Sequence, residues 1–179
     1  MALFARLGDL DGARVLDLYA GTGALGIEAL SRGAREVVFI ERASRSLAVL
    51  RANLASLGLT KGARVLAGDA VRGIQRLGRE AVRFDLVLID PPYAAGEVGR
   101  ALAALVTARV LAAGAAVVVE SGRRHPVPSV EGLAPVDDRR YGDTVITRLV
   151  AAGLGERGES AATTAGAAST AATGGRGPA

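Results

Sequence analysis

Four stretches of the chain carry acids and glycines at spacings that suit chemistry. The first is Asp17-Leu18-Tyr19-Ala20-Gly21-Thr22-Gly23-Ala24-Leu25-Gly26. Its glycines satisfy G-x-G-x-x-G, and Glu41 follows about 20 residues later, where an acid would hold ribose hydroxyls; together they point to an adenosine cofactor. Asp17 narrows the choice. A dinucleotide would lay its pyrophosphate over this turn, where helix-terminal amides favour negative charge and a nearby carboxylate opposes it. S-adenosylmethionine has no phosphate. It carries a sulfonium and an α-ammonium, and Asp17 is the expected partner of that ammonium. In Gly68-Asp69-Ala70 a third acid could accept the adenine 6-amino group, or it could simply cap the helix that follows.

The most informative stretch is Asp90-Pro91-Pro92-Tyr93. Successive prolines have fixed φ and no N–H, so this backbone is stiff and presents carbonyl oxygens beside a flat ring. A nucleobase exocyclic amine needs that combination, because its lone pair is delocalised until acceptors on its two N–H groups orient it. Asp90 and the Pro91 carbonyl would hold the amine while Tyr93 stacks on the base.

These segments must be positioned by elements. Arg14–Leu18, Glu36–Glu41, Arg64–Ala67, Phe84–Asp90 and Ala115–Glu120 read as strands, mostly continuous apolar runs buried on both faces. Between them, Ala24–Ser31, Ser44–Leu57, Val71–Leu77 and Glu97–Ala108 have helical spacing, with Ser44 as expected N-cap. Strand then helix, repeated, predicts an α/β, Rossmann-like doubly wound sheet. Pro135–Arg140 and Thr144–Val150 flank Tyr141-Gly142-Asp143 and predict a C-terminal antiparallel β-hairpin. In such sheets ligands lie at the carboxyl ends of the strands, which is where all four stretches fall.

Composition bounds the chemistry further. The chain has 179 residues, half of them hydrophobic, with 3% aromatics, no Cys and one His. Thiolate chemistry, disulfides and a His-rich metal site are thereby disfavoured, and no metal is expected. No apolar run reaches the ~18 residues of a membrane span, nor does the N-terminus resemble a signal peptide, so a cytoplasmic protein without membrane association is expected. Net charge is +4, with 22 Lys and Arg against 18 Asp and Glu; Lys61 is the sole Lys. An Arg surplus fits a phosphate-bearing partner, although a GC-rich genome would write the same bias. Residues 1–152 are expected to form one domain. The segment 153–179, rich in Ala, Gly, Ser and Thr, has too little apolar surface to offset its ordering and is expected to be a disordered tail.

The run Val15–Ala34, the Asp-Pro-Pro-Tyr stretch and the late Val117–Ser121 segment together resemble the RsmD-type enzymes. These belong to the class I S-adenosylmethionine-dependent methyltransferases and methylate the N2 amine of a guanine in small-subunit (16S) ribosomal RNA. The resemblance covers about Ala2 to Val150. It implies cofactor roles for Asp17, Gly21, Gly23, Glu41 and Asp69, with their neighbours Tyr19, Arg42 and Ala70 in the same set. Target-amine recognition falls to Asp90, Pro91, Pro92 and Tyr93. Family members carry some tens of residues before the first strand, so this chain is expected to be N-terminally truncated relative to them. The expected partner is ribosomal RNA, within a small-subunit assembly and met by a monomer. Arg32, Arg35, Arg123, Arg124, Arg139 and Arg140 are the expected RNA-facing cations. A DNA or other RNA amino-methyltransferase, a nicotinamide-dependent oxidoreductase and a non-catalytic or catalytically weak RNA-binding relative remain as alternatives.

Overall fold

The computed structural model describes residues 9–91 and 96–152. The expected tail 153–179 therefore lies outside the described residues, as do Pro92 and Tyr93.

Strand and helix alternate as the apolar periodicity requires: β1 (Arg14–Leu18), α1 (Ala24–Ser31), β2 (Glu36–Glu41), α2 (Ser44–Ser56), β3 (Ala63–Ala67), α3 (Ala70–Arg79), β4 (Phe84–Ile89), α4 (Glu97–Thr107) and β5 (Leu111–Gly122). The hairpin β6 (Leu133–Tyr141) and β7 (Thr144–Ala151) follows. Together they form a sheet of order β3-β2-β1-β4-β5-β7-β6. The first five strands are parallel, and β7 pairs antiparallel with both β5 and β6. The last strand in sequence thus inserts beside β5, leaving β6 at the edge. Pro135 lies on that edge strand beside a register shift at Pro135/Asp137, the position where a missing N–H is tolerated.

Two apolar layers hold the sheet. On one face Leu16, Leu18, Val38, Ile40, Val87 and Ile89 pack with Ile74 and Leu77 of α3 and Leu102 and Leu105 of α4. On the other, Val15, Val37, Phe39, Leu86 and Leu88 pack with Leu50 and Leu54 of α2. Strand side chains alternate between the layers, which is why near-continuous hydrophobic runs serve both. Burying one such side chain contributes about 1.5–3 kcal/mol, so the absence of Trp and the scarcity of rings is made up by many aliphatic contacts.

The boundaries depart from expectation in instructive places. β5 begins at Leu111, four residues before the expected start, because an irregular stretch pairs Leu111 with Phe84 before regular register resumes at Ala116/Leu86. β4 ends at Ile89 and leaves Asp90 outside the ladder, where Pro91, having no N–H, could not continue it. Ser44 does not cap α2. It is the first helical residue; Ala43 holds the cap position in extended conformation, and no side chain caps there. The Glu41 carboxylate instead accepts the Ala43 N–H at 2.6 Å. Asp69 does cap, its Oδ1 accepting from Arg72 N–H at 3.0 Å at the start of α3.

These two positions make a matched test. Asp69→Ala should cost about 1 kcal/mol of unfolding free energy in urea, the usual loss for a capping carboxylate. Ser44→Ala should be neutral or slightly stabilising, since Ala is the better helix former and no bond is lost.

Candidate active site at the carboxyl ends of the strands

Because β1, β2, β3 and β4 are parallel, the residues leaving their carboxyl ends meet on one rim. Gly23, φ +86°, caps α1 in a left-handed conformation that a side chain rarely adopts, and this lets the chain reverse from β1 into the helix. Gly26 serves a different need. A Cβ there would lie 2.3 Å from Phe39 Cε1, so its absence permits close packing of α1 on β2.

Asp17 lies beneath this turn. It is 1% exposed, and its Oδ2 accepts the Gly26 N–H at 2.9 Å. Burial pushes its carboxyl up to about 7; the Gly26 amide works against that shift, and Asp90 and Glu41 add to it. The carboxylate braces the start of α1 from inside, and it does not line the adjoining cavity.

Glu41, 8% exposed, joins two loops. Its Oε2 accepts the Gly21 N–H at 2.9 Å and its Oε1 the Ala43 N–H. A carboxylate offers about four lone-pair sites, so both oxygens retain capacity to accept a further donor from the cavity side.

That cavity, about 280 Å³, is lined by Tyr19, Ile40, Glu41, Arg42, Ala43, Gly68, Asp69, Ala70 and Asp90. It gathers six of the residues expected from sequence: Tyr19, Glu41, Arg42, Asp69, Ala70 and Asp90. Gly21 is one hydrogen bond away through Glu41, whereas Gly23 packs toward Leu50. Pro91 is buried next to Asp90. Partial burial raises the Asp90 carboxyl above its ordinary value, which makes it a better proton acceptor than a free aspartate.

Two acids escaped the sequence reading. Tyr19 stands in the left-handed region, φ 59°, a conformation costing on the order of 1–2 kcal/mol for a residue with a side chain. Its hydroxyl donates to Glu97 Oε2 at 2.9 Å, and burial followed by this carboxylate raises the phenol's pKa so that it stays protonated. Glu97 opens α4, so the bond ties the exit of β1 to the far side of the Asp-Pro-Pro-Tyr stretch. Arg100 holds the other Glu97 oxygen at 3.0 Å. Only the i, i+3 spacing of Glu97 and Arg100 hinted at this. Glu120, at the end of β5, follows the register pair Ile89/Val119 and thus neighbours Asp90; burial, then the Asp90 charge, raises its pKa.

The expected basic residues divide. Arg123 and Arg124 leave β5 on the active rim and line an open cavity of about 550 Å³ with His125 and Asp143. Arg139 and Arg140 end β6 beside the hairpin turn. Arg32 and Arg35 lie at the opposite end of the sheet, where Arg35 N–H donates to the Ala13 carbonyl just before β1 and Arg32 pairs with Glu28. Among the described residues no cluster of three His, Asp or Glu converges as a metal site would, and no helix is long and apolar enough to cross a membrane.

A family model described as "Conserved hypothetical protein 95" matches residues 1–150, and the ribosomal RNA small subunit methyltransferase D of Escherichia coli (strain K12) is 35% identical over 137 residues. The chain belongs to this RsmD-type family. The match covers 76% of this chain and 67% of the Escherichia coli protein. A conserved hypothetical protein of Streptococcus pyogenes superimposes with a TM-score of 0.73 at 33% identity, over 79% of this chain and 87% of that one. SMU.776, a methyltransferase solved with SAH, shares the fold at 15% identity and a TM-score of 0.65, over 80% of this chain and 46% of that one. The RsmD-type fold seen here is thus the class I methyltransferase sheet with its antiparallel C-terminal hairpin.

Asp17 should leave a thermodynamic signature. Between about pH 4 and 7 the unfolded carboxyl has lost its proton while the folded one keeps it, so the folded state binds more protons and stability falls as pH rises. The wild-type-minus-Asp17→Asn difference in unfolding free energy should decline by about 1.4 kcal/mol per pH unit across that window and flatten above it. A flat difference throughout would mean that Asp17 titrates normally. Glu41→Gln should cost about 1–3 kcal/mol in urea unfolding despite its matched shape, because the new NH₂ must face one of two N–H donors.

Proposed function

We propose that this chain transfers a methyl group from S-adenosylmethionine to the exocyclic N2 amine of a guanine in small-subunit ribosomal RNA. The observation that carries the reading is the continuity of one cavity from Glu41 and Asp69 to Asp90 at the head of the Asp-Pro-Pro-Tyr stretch.

The residues suit this cofactor. The Asp17 carboxyl already takes the Gly26 N–H at the start of α1, where a dinucleotide would need to place its pyrophosphate. The cavity lining holds Glu41, Asp69 and Asp90 against Arg42, an acidic balance that favours a cationic ligand over a phosphorylated one. Glu41 keeps acceptor sites for ribose hydroxyls. Asp69 lines the cavity while one of its oxygens caps α3, so a second role toward the adenine amine is compatible with the cap. When bound, S-adenosylmethionine supplies a methyl carbon made electrophilic by its sulfonium.

On the substrate side, Asp90 accepts from an N–H of the amine, with the Pro91 carbonyl as second acceptor and Tyr93 stacked on the base. The two acceptors orient the nitrogen lone pair. That lone pair forms the new N–C bond as the C–S bond breaks, and the surplus proton on nitrogen leaves to Asp90, whose raised pKa suits the task, or to solvent. Holding both reactants in line supplies most of the acceleration. Arg123, Arg124, Arg139 and Arg140 give the same rim a basic border for the RNA backbone.

Asp90→Ala, once shown to be folded, should lower methyl transfer to small subunits lacking the modification by ~10²-fold or more. Its affinity for S-adenosylmethionine by calorimetry should stay within a few-fold of wild type. Mapping of the labelled nucleoside should return N2-methylguanine. Saturable binding of NADH with none of S-adenosylmethionine, or wild-type turnover in Asp90→Ala, would overturn the proposal.

A further inference from the structure

The hairpin carries a second cavity, about 360 Å³, on the sheet face shared with α3 and α4. No helix follows β6 or β7 within the described residues, so that part of the face is roofed only by the segment after β5, where Pro126, Val127 and Pro128 lie; Pro128 also approaches Gly99 of α4. Strand register builds the floor in rows. Ser121, Val145 and Arg140 are successive partners across β5, β7 and β6. Two residues deeper, Val119, Thr147 and Asp138 form the next row, and Val117, Leu149 and Pro135 the one beyond. Alternate rows project to the same face, so polar groups stand at the rim end and apolar ones at the deep end.

Ser121 and Thr147 are 5% and 6% exposed. The Ser121 hydroxyl is buried and has no hydrogen-bond partner among the described residues, and Ser121 is one of the residues around the cavity. A buried hydroxyl without a partner is costly, and natural interiors keep one chiefly where something else completes it. Around the cavity stand the guanidiniums of Arg123 and Arg140, neither in an ion pair with a described residue, and the carboxylate of Asp138. The cavity shares Gly122 and Arg123 with the open basic pocket that also holds Arg124 and His125. It is also on the strand adjacent to β4, because Ser121 follows Glu120, the neighbour of Asp90.

We propose that this cavity takes one unstacked nucleotide of the RNA strand, flanking the nucleotide presented to Asp90. Arg123 and Arg140 meet its phosphate. The apolar walls at Pro126, Leu133 and Leu149 take the ring faces, and Ser121, Thr147 and Asp138 read the base edge. Asp138 only accepts when ionised, so the base edge that it meets must present an N–H donor, an exocyclic amine or a ring N–H. Single-stranded RNA is recognised in this way, by splayed bases read on their edges, and the volume falls within the ~300–1,000 Å³ range of small-ligand sites. The net positive lining, two Arg against one Asp, selects a nucleotide over an acid-seeking or neutral ligand. The proposal deepens the methyltransferase reading and rests on it for the identity of the RNA.

The test is binding of a short fluorescent single-stranded RNA to the full chain by anisotropy, with Ser121→Ala and Thr147→Leu. Ser121→Ala removes the unpartnered hydroxyl and should leave the melting temperature equal or higher; Thr147→Leu fills the floor. RNA affinity should fall about threefold or more in the first and about tenfold or more in the second, with affinity for S-adenosylmethionine unchanged in both. Where subunits are methylated the loss should appear in KM rather than kcat. Wild-type affinity for mixed-sequence RNA in folded Ser121→Ala and Thr147→Leu overturns the pocket, as does a wild-type chain that binds no RNA. A chain that binds RNA through these residues yet methylates no ribosomal RNA overturns the function and leaves the pocket standing.

Discussion

The hydrogen bond from the Gly26 N–H to the buried carboxylate of Asp17 is the constraint on which the active rim depends. It fixes where α1 starts relative to the middle of the sheet, and with it the turn that contains Gly21 and Gly23. Glu41 then fastens the same turn to the exit of β2 through Gly21 and to the start of α2 through Ala43. Two carboxylates thus replace the side-chain caps that α1 and α2 lack. Ordinary helix capping by Ser or Thr would satisfy amides equally well. Acids do so while gathering negative charge at the strand ends.

That gathering has an electrostatic consequence. Asp17, Glu41, Asp90 and Glu120 lie close enough for Asp90 to raise both Asp17 and Glu120, and for Glu41 to raise Asp17. Like charges held together in a partly dry rim are costly unless a cation joins them or a proton is retained. A sulfonium-bearing cofactor relieves the crowding; a pyrophosphate aggravates it. The proposed chemistry and the proton inventory of the rim therefore point the same way.

The C-terminal hairpin completes the division of labour. Among the described residues, β7 inserted beside β5 extends the parallel sheet without another helix and leaves a sheet face roofed by one connecting segment. Arg123, Arg124, Arg139 and Arg140 lie there and acids gather over β1 to β4, so one rim carries an acidic stretch beside a more basic one. The Tyr19 to Glu97 bond spans the junction, holding the start of α4 to the exit of β1.

Much of this was legible in the residues themselves. Continuous apolar runs such as Glu36–Glu41, broken by helical spacing such as Leu47, Leu50 and Leu54, define strands and helices because burial depends on local periodicity. The rim residues followed, since parallel strands bring their exits to one end. What tertiary structure alone decided is which partner each polar atom meets. Asp17 faces Gly26, Ser44 caps nothing, Arg35 lies at the far end, and Glu97 and Glu120 join the site. Each outcome turns on the position of a group distant in sequence or on a register between strands. Periodicity carries no record of either, because a hydrogen bond depends on ångström-scale placement, whereas a hydrophobic run needs only the correct face.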